Sequence, residues 1–255
     1  MKTLFITGTD TGVGKTTVSA CLSAFLSLKK KMNVGVMKPF ESGLSKTAKD
    51  LLPWDAICLR EASGSTDDLD DISPYTFEHP LAPEIAASIE HIQIDIDIVD
   101  RIYKKITKKH DIVVIEGAGG VLVPIKKAFF YADLIERWNA PTIIVARLGL
   151  GTINHTLLTY NYLKSRGISV VGVILNNNDG TGDPSAQTNP EALRRYLEVP
   201  VLGVFPYTKG LLKEGMDREL LADIFAKHID AVMLLDRIKR MEKKTQGKEE
   251  KKKGN

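Results

Sequence analysis

The sequence predicts an α/β fold, a single domain in which helices cover both faces of an open, mostly parallel sheet. Three observations carry that expectation. Short Val/Ile-rich runs alternate with helix-patterned segments along the chain. The runs are apolar on successive residues, as strands buried on both faces must be. A glycine-rich turn joins the first run to the first helix. At 255 residues, 43% of them hydrophobic and 26% charged, the chain has the size and composition of one globular domain.

Leu4–Thr7 is the first predicted strand, short and leading into glycines. The helix after them, Thr16–Leu28, carries Val18, Cys21, Leu22, Phe25, Leu26 and Leu28 mainly on one side. Val34–Met37 follows as the second strand. Glu41–Asp50 and Gly64–Pro83 are rich in Ser, Gly, Pro and acidic residues and read as loops. Asp95–Lys109 is the next predicted helix and Ile112–Ile115 the next strand, followed by strand Thr142–Ala146, helix Gly151–Arg166 and strand Val170–Leu175. Pro190–Leu197 reads as a helix with Asn189 as its N-cap and proline at the first helical position. Strand Val201–Phe205 and a long helix, Asp217–Arg240, complete the pattern. In open sheets of this kind the ligand crevice lies at the carboxyl ends of the strands, where Gly8, Lys38 and Glu116 fall. The two loops are therefore expected to help build the site.

Charge is unevenly spread. Residues 237–255 hold nine Lys/Arg against three Asp/Glu, leaving 26 basic and 29 acidic residues in the rest. The expected division is a mildly acidic domain over residues 1–236 and a basic, solvated tail over 237–255. No aromatic residues interleave the tail's charges, which argues against nucleic acid or a membrane surface as a partner. Cys21 and Cys58 have no metal or redox spacing. No apolar segment precedes the first strand and no run is long enough to span a membrane, so a cytoplasmic protein is expected.

Gly8-Thr9-Asp10-Thr11-Gly12-Val13-Gly14-Lys15-Thr16, between strand and helix, has the chemistry of a phosphate-binding loop. Glycines allow consecutive N–H groups to surround a polyphosphate, Lys15 adds a point charge, and the Thr16 hydroxyl is placed for Mg²⁺. The context makes the expected fold P-loop NTPase-like. The spacing is a variant: counting back from Lys15, Thr9 stands where the first glycine usually falls. Glu116, ending an apolar strand before Gly117-Ala118-Gly119-Gly120, is a candidate metal-side carboxylate with room for phosphate beside it. Lys38, at the end of the second strand, would bring a second cation to the γ-phosphate; with Ser42 and Gly43 it suggests an acidic co-substrate that accepts the phosphoryl group.

The loop, Lys38-Pro39-x-x-Ser42-Gly43, Pro74-Tyr75-Thr76-Phe77, Glu116-Gly117-Ala118-Gly119-Gly120, Gly151-x-Ile153-Asn154-His155 and Leu202-Gly203-x-x-Pro206 occur in one order. Together they resemble the dethiobiotin synthetase family over roughly residues 1–225. The resemblance implies a cyclo-ligase that uses ATP and Mg²⁺ to make the ureido ring of dethiobiotin from 7,8-diaminopelargonate and CO₂, through a carbamate and a carbamic-phosphoric anhydride. It implies catalytic roles for Lys38, Lys15 and Thr11, and Mg²⁺ ligation by Thr16, Asp55 and Glu116. The ATP site it implies comprises Gly12, Val13, Gly14, Lys15, Thr16, Thr17, Asp55, Glu116, Gly117, Ala118 and Gly119. Asn177 belongs to the same implied site; Asn176 would read the adenine, with the backbone of Pro206, Tyr207 and Thr208 closing that pocket. The substrate contacts it implies are Thr11, Lys38, Ser42, Gly151 and Asn154, the last two from a partner subunit of a homodimer; for His155 an orienting or packing role is expected.

Some features stand apart from that pattern. Asn176-Asn177-Asn178-Asp179 has the Asn and Asp spacing of a guanine-reading motif without its lysine, and ATP is retained as the expected nucleotide. Gly12 and Glu84 stand where some relatives carry an acidic residue and histidine. The main alternative is a switch ATPase of the ParA or MinD type, whose loop has an early lysine; aligned on Lys15, that position holds Asp10. A cobyrinate diamide synthase-like amidotransferase would need a glutaminase domain, for which there is no spare length. A catalytically dead nucleotide-binding scaffold fits poorly with Lys15, Thr16, Lys38, Asp55 and Glu116 all intact.

Overall fold

The structure is a computed structural model that describes residues 3–46, 51–178, 180 and 183–241. The chain runs through β1 (Thr3–Gly8), α1 (Lys15–Lys30), β2 (Val34–Met37), β3 (Phe40–Ser42), β4 (Ser45–Lys46), β5 (Leu51–Leu52), α2 (Trp54–Ser63), α3 (Leu69–Ile72), β6 (Tyr75–Phe77), α4 (Pro83–Ile89) and α5 (Ile96–Lys109). It continues through β7 (Ile112–Gly120), β8 (Pro124–Lys126), β9 (Phe129–Phe130), α6 (Tyr131–Arg137), β10 (Thr142–Arg147), α7 (Thr152–Ser165), β11 (Val170–Asn176), α8 (Ser185–Tyr196), β12 (Val201–Phe205) and α9 (Arg218–His228).

The six predicted strands form one sheet in the order β12-β11-β10-β1-β7-β2, and every pairing in it is parallel. Alternation along β1 divides the core. Leu4 and Ile6 face the layer containing Leu22, Leu26 and Phe225, whereas Phe5 faces Met37, Ile115 and Ile144 on the other side. Helices α1, α2 and α9 pack together over the first of these layers.

Register positions the site. Ile6 pairs with Glu116 and Met37 with Ile115, so the ends of β1, β2 and β7 bring Gly8, Lys38 and Glu116 to one edge. Arg147 pairs with Asn176, and Asn176 with Phe205, extending that edge along the sheet.

The structure corrects several expected boundaries. Helix α8 begins at Ser185, so Pro190 lies inside it and Asn189 is not its N-cap. The Asn189 amide instead donates to the carbonyls of Leu148 and Gly149, at 2.7 and 3.0 Å. The predicted helix Asp217–Arg240 is two helical pieces. Ile229 is extended and bridges Gly203, Asp230 N–H bonds the Leu202 carbonyl at 2.8 Å, and helix resumes over 231–241. A boundary at residue 236 therefore cuts a helical segment that buries Leu234 and Ile238. The tail beyond 241 and residues 47–50 lie outside the described residues. Within the expected loops, β3 and β6 pair in parallel and α3 adds a short turn of helix. Helix α2, which carries Asp55, fills the interval between the two expected loops. Among the described residues, no helix is long and apolar enough to cross a membrane.

Candidate functional site

The loop between β1 and α1 ends at Gly14, whose φ of 89° puts it in the left-handed region at the N-cap of α1. No side chain caps that helix, so its first N–H groups are available to an anion. Lys15 is buried, 6% exposed, and its ammonium reaches back to the Asp10 carbonyl at 3.0 Å. Burial, with a contribution from Lys38, lowers its pKa to about 8.

Lys38 is the hub of the site. Its Nζ lies 2.6 Å from Glu116 Oε1 and 2.7 Å from Asp55 Oδ2, and Thr16 Oγ1 donates to Glu116 Oε1 at 2.8 Å. Burial alone would push the Lys38 ammonium down, but Glu116 and Asp55 outweigh it and hold it above the ordinary lysine range. The same balance works in reverse for Asp55: burial would raise its carboxyl, and Lys38 holds it below the usual carboxylate range. Glu41 behaves differently, pushed up to about 7 by burial and by the Asp55 charge.

Glu116 Oε2 is buried without a hydrogen-bond partner. That orphaned oxygen, the Asp55 carboxylate and the Thr16 hydroxyl are hard donors, suited to a Mg²⁺ that takes its remaining ligands from phosphate and water. Among the described residues no cluster of three or more His, Cys, Asp or Glu could hold a metal alone. The residues present thus fit a cation that arrives with a nucleotide.

A cavity of about 680 Å³ lies over this cluster. It brings together Thr11, Gly12, Gly14, Lys15, Thr16 and Thr17 from the loop and α1, with Lys38, Ser42, Asp55, Glu116, Ala118 and Gly119. Pro80, Leu81, Ala82, Pro83 and Val123 close it. These five were not named from sequence, although the first four end a segment expected to help build the site. Val13 is buried beneath the loop, and Gly117 packs on Phe5 and Tyr131.

The remaining expected positions lie outside that cavity. Asn176 is buried under the loop and its amide donates to the Val13 carbonyl at 3.0 Å; Asn178 donates to the Gly12 carbonyl at 2.9 Å. Asn177 Oδ1 accepts from Gly180 N–H, against which the Tyr207 ring packs, with Pro206 and Thr208 on either side of it beyond β12. Asp179 lies outside the described residues.

Gly151 and Asn154 are exposed at the start of α7, which has no side-chain cap. The turn before them is held by Asp183, just ahead of α8, and by Asn189 within it. Asp183 Oδ2 accepts from Leu150 N–H at 2.8 Å, while Asn189 binds the carbonyls of Leu148 and Gly149. Sequence spacing gave no signal for either contact, since the partners are more than 30 residues apart. Leu150, 77% exposed, and Leu158, 62% exposed, leave the surface beside this helix start apolar.

A protein-family model described as an AAA domain matches residues 2–214. The ATP-dependent dethiobiotin synthetase BioD of Thermodesulfovibrio yellowstonii is 45% identical over 219 residues, covering 82% of this chain and 90% of that protein. The enzyme of the same name from Bacillus subtilis strain 168 is 37% identical, covering 93% and 99%. Among solved structures, the cell division ATPase MinD of Pyrococcus furiosus superposes with a TM-score of 0.52 at 18% identity, covering 94% of this chain and 99% of that one. A ParA family ATPase from Chlorobium tepidum gives 0.53 at 16% identity, covering 93% and 98%. At such identities these two likenesses concern the fold alone.

Proposed function

The chain belongs to the ATP-dependent dethiobiotin synthetase family, and on that premise we propose that its cavity closes the ureido ring of dethiobiotin from 7,8-diaminopelargonate and CO₂. It is an ATP-dependent ligase of biotin biosynthesis. The observation that carries the finer reading is Lys38, a buried cation set between two carboxylates beside the phosphate loop.

One amine of the diamine captures CO₂ as a carbamate and releases a proton. A carbamate oxygen attacks the γ-phosphorus of ATP and ADP departs. The second amine then attacks the carbonyl of the mixed anhydride, expelling phosphate and closing the ring. Two anions, carbamate and triphosphate, must meet, and the site answers with fixed positive charge. Lys15 addresses the β- and γ-phosphates. Lys38 stays protonated because both carboxylates hold it so, which makes it an electrostatic clamp and not a base. Thr11 and Ser42, both lining the cavity, supply hydroxyls to the carbamate or the amine. Thr16, Asp55 and Glu116 would hold Mg²⁺, which when bound spreads charge from the transferred phosphoryl group.

Asn176 is the base-reading residue in this proposal. One N–H of its amide donates to the Val13 carbonyl, which leaves Oδ1 and the second N–H for the base. The nucleotide is ATP, as in the family; a clear preference for GTP in competition would overturn this assignment. The enzyme acts in the cytoplasm as a homodimer, the uncapped α7 start with Gly151 and Asn154 receiving the distal carboxylate of substrate held in the neighbouring subunit's cavity. The exposed Leu150 and Leu158 support that arrangement.

The direct test is formation of ADP and dethiobiotin from ATP, Mg²⁺, bicarbonate and the diamine. ATP turnover that ignores the diamine, with no cyclic product, would favour a switch ATPase instead. Asp10, where that class needs a lysine, argues for the ligase.

Nucleotide binding should also move a proton. Free Lys15, with its pKa near 8, is mostly neutral at pH 9, and bound triphosphate favours the charged form. Binding at pH 9 is therefore expected to take up most of one proton at Lys15, and binding at pH 6.5 none there. Calorimetry in buffers of different ionisation enthalpy measures this, and Lys15→Arg should remove the difference.

A further inference from the structure

We propose that Glu41 is a positioning residue of the phosphoryl-transfer site, a buried carboxylate that fixes the start of α2 and, through it, the side chain of Asp55. The inference rests on reading Asp55 as a ligand of the cation that accompanies ATP.

Helix α2 begins without a cap of its own. Pro53 occupies the N-cap and offers no side-chain acceptor. The N–H groups of the first turn still require one. Glu41 supplies it from another element: Oε1 accepts from Asp55 N–H at 2.7 Å and Oε2 from Ala56 N–H at 3.0 Å. Glu41 is only 4% exposed, so both oxygens lie away from bulk water. Two N–H bonds at the positive end of a helix offset part of the desolvation cost.

The clip joins two halves of the site. Glu41 lies between Phe40 and Ser42 on β3, which is pinned by parallel pairing with β6 and by stacking of Phe40 on Tyr75 at 5.5 Å. Lys38 N–H is fixed nearby by the Ile72 carbonyl at 2.7 Å. Asp55 is thus held at both ends, its N–H by Glu41 and its carboxylate by Lys38. Without the clip, the Asp55 carboxylate would keep its side-chain contacts to Lys38 and Thr16 but lose the fixed backbone that aims it at the rest of the donor set.

The experiment titrates Mn²⁺, detected by electron paramagnetic resonance, into full-length protein saturated with a non-hydrolysable ATP analogue. Glu41→Ala is expected to weaken Mn²⁺ binding about tenfold. Glu41→Gln, which keeps one acceptor oxygen and the volume, should lose less. In an Asp55→Asn background Glu41→Ala should cause no further loss, because its effect runs through Asp55. Unchanged Mn²⁺ affinity, or equal losses in both backgrounds, would overturn the proposal. If Glu41→Ala does not fold, Glu41→Gln decides, and parental affinity in it counts against the role. The ligase reading is tested separately by the parent: a parent that makes no dethiobiotin, yet shows the Mn²⁺ effect, loses that reading and keeps the Glu41 assignment.

Discussion

Lys38→Ala is expected to lower dethiobiotin formation about 10²- to 10³-fold while ATP affinity changes only a few-fold. The reason lies in what Lys38 touches. Its ammonium contacts Asp55 and Glu116, not the phosphate loop, so the loop's backbone and Lys15 remain for the nucleotide. What is lost is the cation facing the acceptor. The variant also leaves Glu116, fully buried, and Asp55 without their shared partner, and removing one member of such a pair costs about 3–5 kcal/mol. Lower thermal stability should accompany the activity loss, with one carboxylate taking up a proton. Product is measured by mass spectrometry, binding by calorimetry, and the folded state by circular dichroism. Intact ligation in a folded Lys38→Ala protein would show that the division of labour between the two lysines is wrong.

The sheet was legible because each of its strands is a local event, a short run of Val and Ile buried on both faces. The phosphate loop was legible for a related reason: its glycines, Lys15 and Thr16 are contiguous. What sequence did not disclose depends on partners distant along the chain. Helix α2 lacks a capping residue of its own, and its acceptor, Glu41, arrives from β3. The break at Ile229 exists because that residue bridges Gly203 at the edge of the sheet; its helical periodicity continues on both sides. Asn189-Pro190 reads as a helix start, yet the helix runs through it and Asn189 serves the turn before α7. Asp55 and Glu116 each look ordinary alone, and the register of β2 against β7 is what sets Lys38 between them.

Gly14→Ala is the second substitution expected to have a large effect, and Gly12→Ala is its control. Both glycines are left-handed, with φ of 89° and 73°, so each alanine carries a backbone strain of about 1–2 kcal/mol. Their surroundings differ. A Cβ at Gly12 meets nothing within 4 Å, whereas one at Gly14 would lie 2.0 Å from Asn176 Nδ2. That amide is no flexible tip: it is buried and bonded to the Val13 carbonyl. Gly14→Ala must either displace Asn176 from the loop or move the loop from the start of α1. Either change disorganises the phosphate N–H groups and the base-reading side chain together. ATP affinity is expected to fall at least tenfold further in Gly14→Ala than in Gly12→Ala, with a larger drop in unfolding temperature. Because strain is common to both, the difference between them isolates the Asn176 contact. Equal losses in the two variants would mean that strain alone governs the loop, and that Asn176 is not what ties base recognition to it.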